Sequence, residues 1–190
     1  MKYRFAMILT WIGLYAGTSL LPAQNSADTG FTAKEPVLLT SAGQSADSQI
    51  VKVLLERNKI GVRSLPLAGV SDLEGAKTLV VAVGGSSKGL GAAGIDADKE
   101  LARVEKILNS AKEAGIPILA MHIGGISKRG ELSDRFISQV VPVSSYFIAI
   151  KEGDKDGFLT KTAADGKVRI LTFERISELQ APLKSIFGKP

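Results

Sequence analysis

The chain has no cysteine, one histidine and one tryptophan, and aromatic side chains make up 6% of its 190 residues. Without cysteine no disulfide can staple the fold, so stability has to come from packing alone. With no cysteine and only His122, the usual ligands of a transition-metal site are missing, and "GDKDG" (Gly153 to Gly157) lacks the spacing of a calcium loop. Its two aspartates read as turn and cap residues, and we expect no metal and no cofactor. A flavin would want stacking partners, and the chain offers only Tyr146 and scattered phenylalanines. Charge of one sign is also scarce. Lys and Arg number 24 against 19 Asp and Glu, a net +5 too slight and too scattered to argue for nucleic acid.

What is present begins with a leader. "MKYR" is a short basic start, "FAMILTWIGLYAGTSLL" is apolar with small residues interrupting it, and "LPAQ" offers Ala23 at a plausible cleavage point. This is the layout of a signal peptide over residues 1–23 and implies an exported protein, periplasmic or otherwise extracytoplasmic. The alternative is an uncleaved anchor, because the run approaches the roughly 17 residues a spanning helix requires. Only in that case would the chain touch a membrane. Cleavage would leave 167 of the 190 residues and, with Lys2 and Arg4 gone, a net charge of +3. Residues 24–35, mostly small and polar, read as a flexible linker, and residues 36–190 as a single domain of a size that can bury its own core.

Within that domain short apolar runs alternate with segments of helical period, the pattern of an α/β fold. "VLLTS", "TLVVAV", "IPILAMHI", "YFIAI" and "VRILTF" are candidate strands. The continuous apolar runs among them suit strands covered on both faces. "GVRSLPL" contains Pro66 and suits an edge. Helical stripes run through Ala46, Ile50, Val51, Leu54 and Leu55, through Leu101, Val104, Leu108 and Ala111, and through Leu132, Phe136, Ile137, Val140 and Val141. Asp96 can cap the second of these, and Gly115 followed by Pro117 can end it. A short helix is expected over 158–164, and a last one over 176–187 that Pro182 must kink or shorten. The sum is a three-layer sandwich with a mainly parallel sheet of five or six strands, flavodoxin-like or Rossmann-like.

In such sheets ligands bind beyond the carboxyl ends of the strands. There the chain places "SAGQSADS", "GGSSKGLGAAG", "HIGGISKRG" and "KEGDKDG", whereas the loops entering strands are short turns such as "AGIP" and "ADGK". Glycine together with hydroxyl and cationic side chains suits an anion, because free amides and helix amino termini favour negative charge. Gly84 to Gly94, eleven residues with no helical or strand pattern, exceeds the usual connection. "GLGAAG" spells a dinucleotide fingerprint, but it stands away from the strand end, and no acid for a ribose closes the next strand. "GSSKG" spells a nucleophile elbow at Ser87, with His122 ending the neighbouring strand, but no helix is expected behind the serine. "TSAGQS" is similar to the phosphate loop of flavodoxins except at Ala42, where a hydroxyl is expected.

Together "SAGQSADS", "SSKGLGAAGID", "MHIGG", "RGELSD" and "GDKDG", in this order, resemble an uncharacterised family of exported bacterial α/β proteins known only as a domain of unknown function. The resemblance runs from about Pro36 to Phe187. It implies export and one compact domain, and brings no activity or site residue with it. The residues themselves point to a small anionic ligand. The expected site comprises Ser41, Gly43, Gln44 and Ser45 after the first strand, Gly85, Ser86, Ser87, Lys88 and Gly89 after "TLVVAV", and His122, Gly124, Gly125 and Arg129 after "IPILAM". Backbone amides of 43–45 and 85–91 would hold the anion, Lys88, Lys128 and Arg129 would supply charge, and His122 would form the floor. Two other readings remain open. One is a serine hydrolase using Ser87 and His122; the other is a non-catalytic module that binds a protein partner in the envelope.

Overall fold

The computed structural model describes residues 30–190, so the expected leader and the linker as far as residue 29 lie outside it. Six strands pair in parallel: β1 (Val37–Ala42), β2 (Val62–Ser64), β3 (Thr78–Val83), β4 (Ile118–His122), β5 (Tyr146–Ile150) and β6 (Ile170–Phe173). Their order in the sheet is β2-β1-β3-β4-β5-β6. β1 and β3 are buried along their whole length and align from Val37 beside Thr78 to Ala42 beside Val83. Continuous apolar strands of this kind require cover on both faces, and both are covered. β2 takes the edge, where the missing N–H of Pro66 just beyond it costs no ladder bond.

On one face α1 (Asp47–Arg57) and α6 (Gln180–Ile186) pack Val51, Leu54, Leu55, Leu183 and Ile186 against Leu39, Val80, Met121 and Ile148. On the other, α3 (Ala97–Glu113), α4 (Glu131–Val140) and α5 (Phe158–Asp165) bring Val104, Ile107, Phe136, Ile137 and Leu159 against Leu38, Leu79, Val81 and Phe147. Each fully buried side chain of this size contributes roughly 1.5–3 kcal/mol, so these two layers supply the stability that disulfides cannot. The stripe on α1 is narrower than expected, since Ile50 is 41% exposed. Asp96 caps α3 by accepting from the Lys99 amide at 2.8 Å, and Gly115 turns the chain away with φ +65°.

Two boundaries differ from the sequence reading. The domain begins before Pro36: Phe31 stacks on Tyr146 with ring centroids 5.3 Å apart, and the Ala33 amide donates to the Ile186 carbonyl at 2.8 Å. The small polar composition of 24–35 hid two apolar residues that find partners at the amino edge of the sheet. The last helix divides into a 3-10 turn (Ile176–Leu179) and α6, with Pro182 in the first turn of α6, where its missing N–H has no intrahelical partner to lose.

Strand order reverses once. After β1 the chain passes through α1 on one face to β2, then returns past β1 to β3, whose following helix α3 lies on the other face. The loops leaving neighbouring β1 and β3 therefore diverge, which is where an open α/β sheet offers a crevice.

Candidate functional site

The exits of β1 and β3 are joined to each other. The Gly84 amide donates to the Ala42 carbonyl at 2.9 Å, the Ser86 amide to the Gly43 carbonyl at 2.8 Å, and Gln44 pairs with Gly85 in an antiparallel bridge. This close approach depends on Gly43, which has φ +98° and where a Cβ would stand 2.6 Å from the Gly84 carbonyl oxygen and from Phe136 Cδ2. Beneath the seam Glu100, fully buried, accepts from the Gly43 amide at 3.1 Å, from Gln44 Nε2 at 2.8 Å and from Arg103 Nε and Nη2 at 2.8 Å each. Burial alone would raise the Glu100 pKa, but the Arg103 guanidinium, helped by Gln44 and Gly43, outweighs it and holds the carboxyl below its ordinary range. Arg103 goes on to the Ser41 and Ala68 carbonyls and to Thr40 Oγ1. The crevice directly at the reversal is thus filled by its own backbone and a buried ion pair.

The segment 84–94 is not the irregular loop its composition suggests. Ser87 opens a short helix, α2 (Ser87–Ala92), capped by Ser86 Oγ accepting from the Gly89 amide at 3.0 Å and anchored by buried Leu90. Two glycines within six residues hide it from a propensity reading. Gly85 lies against the first turn of α4, its amide donating to Ser133 Oγ at 3.0 Å, while that hydroxyl donates to the Lys128 carbonyl at 2.7 Å. The amides of Gly43, Gly85, Ser86 and Gly89, expected to hold an anion, are therefore already used within the fold.

Open space lies beside this seam, toward β4. A cleft of about 560 Å³ runs between Ser45 and Ala46 at the start of α1, Gly85 to Lys88 at the start of α2, and Ser127 to Ser133 at the start of α4. That volume is within the roughly 300–1,000 Å³ of small-molecule sites. Of the expected residues it gathers Ser45, Gly85, Ser86, Ser87, Lys88 and Arg129. Ser41, Gly43, Gln44, Gly89, Gly124 and Gly125 stand outside its lining. Gln44 instead borders a separate hollow of about 390 Å³ with Leu65, Pro66, Leu67 and Asp72.

Arg129 lines the cleft but has nothing left to offer a ligand. Its side chain is 3% exposed, and all five N–H groups are engaged. Nε and Nη2 donate to Asp134 at 2.5 and 3.1 Å, Nη1 and Nη2 to Asp156 at 3.2 Å each, and Nη1 also to the Gly153 carbonyl at 2.5 Å. The guanidinium further lies 4.5 Å over the Phe158 ring. It is a brace tying α4 to the start of α5, where Asp154 and Asp156 accept from the Leu159 and Phe158 amides. The unpaired charge comes from Lys88 and Lys128, both exposed and neither in an ion pair with any described residue.

His122 is not a floor residue either. It is fully buried, Nδ1 lies 2.9 Å from the Val83 carbonyl, and burial, opposed by that carbonyl, pulls its pKa down. The ring is neutral with Nδ1 protonated, a tie between the ends of β3 and β4. No hydrogen bond joins it to exposed Ser87, so a nucleophile and its base are not assembled. Among the described residues no three His, Asp or Glu side chains come together as metal ligands.

Sequence reasoning missed Ser127 and Ser133 in the cleft lining, and Asp47 just behind it. Ser127 and Ser133 enter only because α4 starts beside Gly85. Asp47 reads from the sequence as a cap of the first helix, yet the structure places it in the first turn of α1 with no cap bond and with Oδ2 buried without a hydrogen-bond partner among the described residues.

The chain belongs to a family defined by a domain of unknown function, DUF6305, matched over residues 34–187. No curated protein matches the sequence. Among solved structures, the SGNH-hydrolase family esterase AlinE4 is 12% identical, covering 74% of this chain and 75% of that one, with a TM-score of 0.31. A Schiff base forming fructose-1,6-bisphosphate aldolase is 11% identical, with 85% of each chain covered and a TM-score of 0.36. The YdjI aldolase from Escherichia coli is 10% identical, covering 79% of this chain and 85% of that one, with a TM-score of 0.20. Likeness at this level assigns no chemistry to the DUF6305 chain.

Proposed function

We propose that this DUF6305 protein is an exported binder of a small anionic ligand, held in the cleft between the starts of α1, α2 and α4. The observation that carries the reading is a small-molecule-sized cleft in which two exposed lysines without ion pairs, Lys88 and Lys128, face the start of α4, whose first turn has no side-chain cap. An uncapped helix start presents free amides and positive dipole, and Ser45, Ser86, Ser87 and Ser127 add hydroxyls around it. Glu131 on the rim opposes a second negative charge and favours a compact anion over an extended polyanion. The buried, tied state of His122 leaves binding better supported than hydrolysis.

Calorimetric titration with inorganic phosphate, sulfate and small carboxylates tests the reading. At least one should bind, and Lys88→Ala and Lys128→Ala should each weaken it by about ten- to a hundredfold, in line with the roughly 1.5–3 kcal/mol of a charge-assisted hydrogen bond. Indifference of the wild-type protein to all of them would sink the proposal. Export is tested separately by the intact mass of the protein recovered from a cell envelope fraction. Cleavage after Ala23 should leave a chain beginning at Gln24.

A further inference from the structure

Toward the carboxyl edge three buried polar atoms have no hydrogen-bond partner among the described residues: Ser41 Oγ in β1, His122 Nε2 at the end of β4 and Asp47 Oδ2 at the start of α1. Asp47 stands apart because it is the one of the three that can carry a negative charge. The residue is 6% exposed, and no described cation forms an ion pair with it. A buried carboxylate in this condition is costly until a water, an ion or a ligand completes it.

Its surroundings say what would complete it. Oδ2 lies 3.8 Å from the point where a Cβ would stand on Gly84 and 3.3 Å from the same point on Gly124, so two bare strand ends face it. Ser45, whose Oγ is 3.6 Å from that Gly84 position, and Lys128, whose side chain passes over Gly124, both border the cleft. Lys128 nevertheless leaves Asp47 unpaired. Asp47 lies just behind the cleft lining with Oδ2 covered, so a donor that displaced the exposed Lys128 side chain from beside Ser45 would meet a carboxylate oxygen without a hydrogen-bond partner among the described residues.

We propose that the ligand is a small zwitterion: its anionic group rests by Lys88, Lys128 and the start of α4, and a protonated amine reaches Asp47. The inference rests on the anion-binding reading of the cleft and adds the second pole. Three probes separate the two, namely inorganic phosphate, propyl phosphate and phosphoethanolamine, each titrated into the wild type and into Asp47→Asn. The wild type should bind phosphoethanolamine about tenfold more tightly than propyl phosphate, the margin of one buried charge-assisted contact. Asp47→Asn, which keeps shape and removes charge, should abolish that margin while still binding phosphate and propyl phosphate. Equal affinities for propyl phosphate and phosphoethanolamine in the wild type, or a margin that survives in Asp47→Asn, overturns the zwitterion and leaves the anion site standing. Failure of all three probes overturns both. A melting temperature that falls in Asp47→Asn while the margin is untouched would make Asp47 a partner of the α1 dipole only, and that also overturns the inference.

Discussion

Gly43 is the residue on which the strand-exit edge most depends. A side chain there would have to adopt φ +98° and enter the Gly84 carbonyl and the Phe136 ring at once. Gly43→Ala should therefore lower stability by about 2–4 kcal/mol, read as the shift in the urea midpoint, because backbone strain and overpacking add. Arg129 carries the contrasting lesson. From the sequence it is a cation in a glycine-rich exit and reads as a ligand contact. Its partners Asp134, Gly153 and Asp156 come from two later elements and take every N–H it has. Arg129→Gln should lower stability by about 1–3 kcal/mol, mainly through the lost charge-assisted hydrogen bonds to Asp134 and the Gly153 carbonyl, because the carboxylates it leaves behind are partly exposed to water. The lysine substitutions should leave the melting temperature near that of the wild type. Charge is visible in a sequence, whereas saturation of that charge is a property of the tertiary fold.

At the scale of elements, the strands were the most legible feature. "VLLTS" covers five of the six residues of β1, and "TLVVAV" and "YFIAI" coincide with β3 and β5. Runs of β-branched and aliphatic residues that must be buried on both faces leave little freedom of interpretation. α2 was illegible for the opposite reason, since Gly89 and Gly91 depress helix propensity and only the Ser86 cap and Leu90 hold it. Its two glycines serve different ends. A Cβ on Gly91 meets nothing within 4 Å, whereas one on Gly89 would drive into the Gln44 carbonyl. Gly91→Ala should raise stability by about 0.5–1 kcal/mol through helix propensity alone. Gly89→Ala should lower it despite the same gain, and thermal melts of the pair would show opposite shifts.

For the molecule as a whole, two buried titrating groups shape the response to acid. The His122 pKa is lowered in the fold, so between its folded value and the ordinary histidine range the unfolded chain binds the extra proton. Stability from this group is complete above that range and is lost as pH falls through it. Glu100 is lowered too, and its contribution is lost only at more acid pH, as the carboxyl titrates through its depressed folded value. Urea melts across pH should show the histidine step first and the carboxyl step below it. His122→Gln, able to keep a donor on the Val83 carbonyl, should remove the first step and preserve the second. The α/β class and the parallel sheet could be read from alternation along the chain, and the carboxyl edge as the place to look for a site followed from them. The cleft itself could not, because it joins residues from Ser45 to Ser133 across three helix starts that no local pattern links.

The seam between the exits of β1 and β3 separates positions whose substitution the fold should tolerate from positions it should not. Its hydrogen bonds are largely main-chain, and its side-chain supports, Glu100 and Arg103, lie beneath it and away from the cleft. Ser87, Lys88, Ser127 and Lys128 project from that frame, exposed and outside the ties that hold the exits together. Substitution at these four positions should be close to neutral for folding, since exposed sites away from buried features usually shift stability by no more than about 0.5 kcal/mol. A lineage could therefore change the character of the cleft by small steps there without rebuilding the scaffold, and Gly43, Gly85 and Gly89 would be the positions along which divergence stalls.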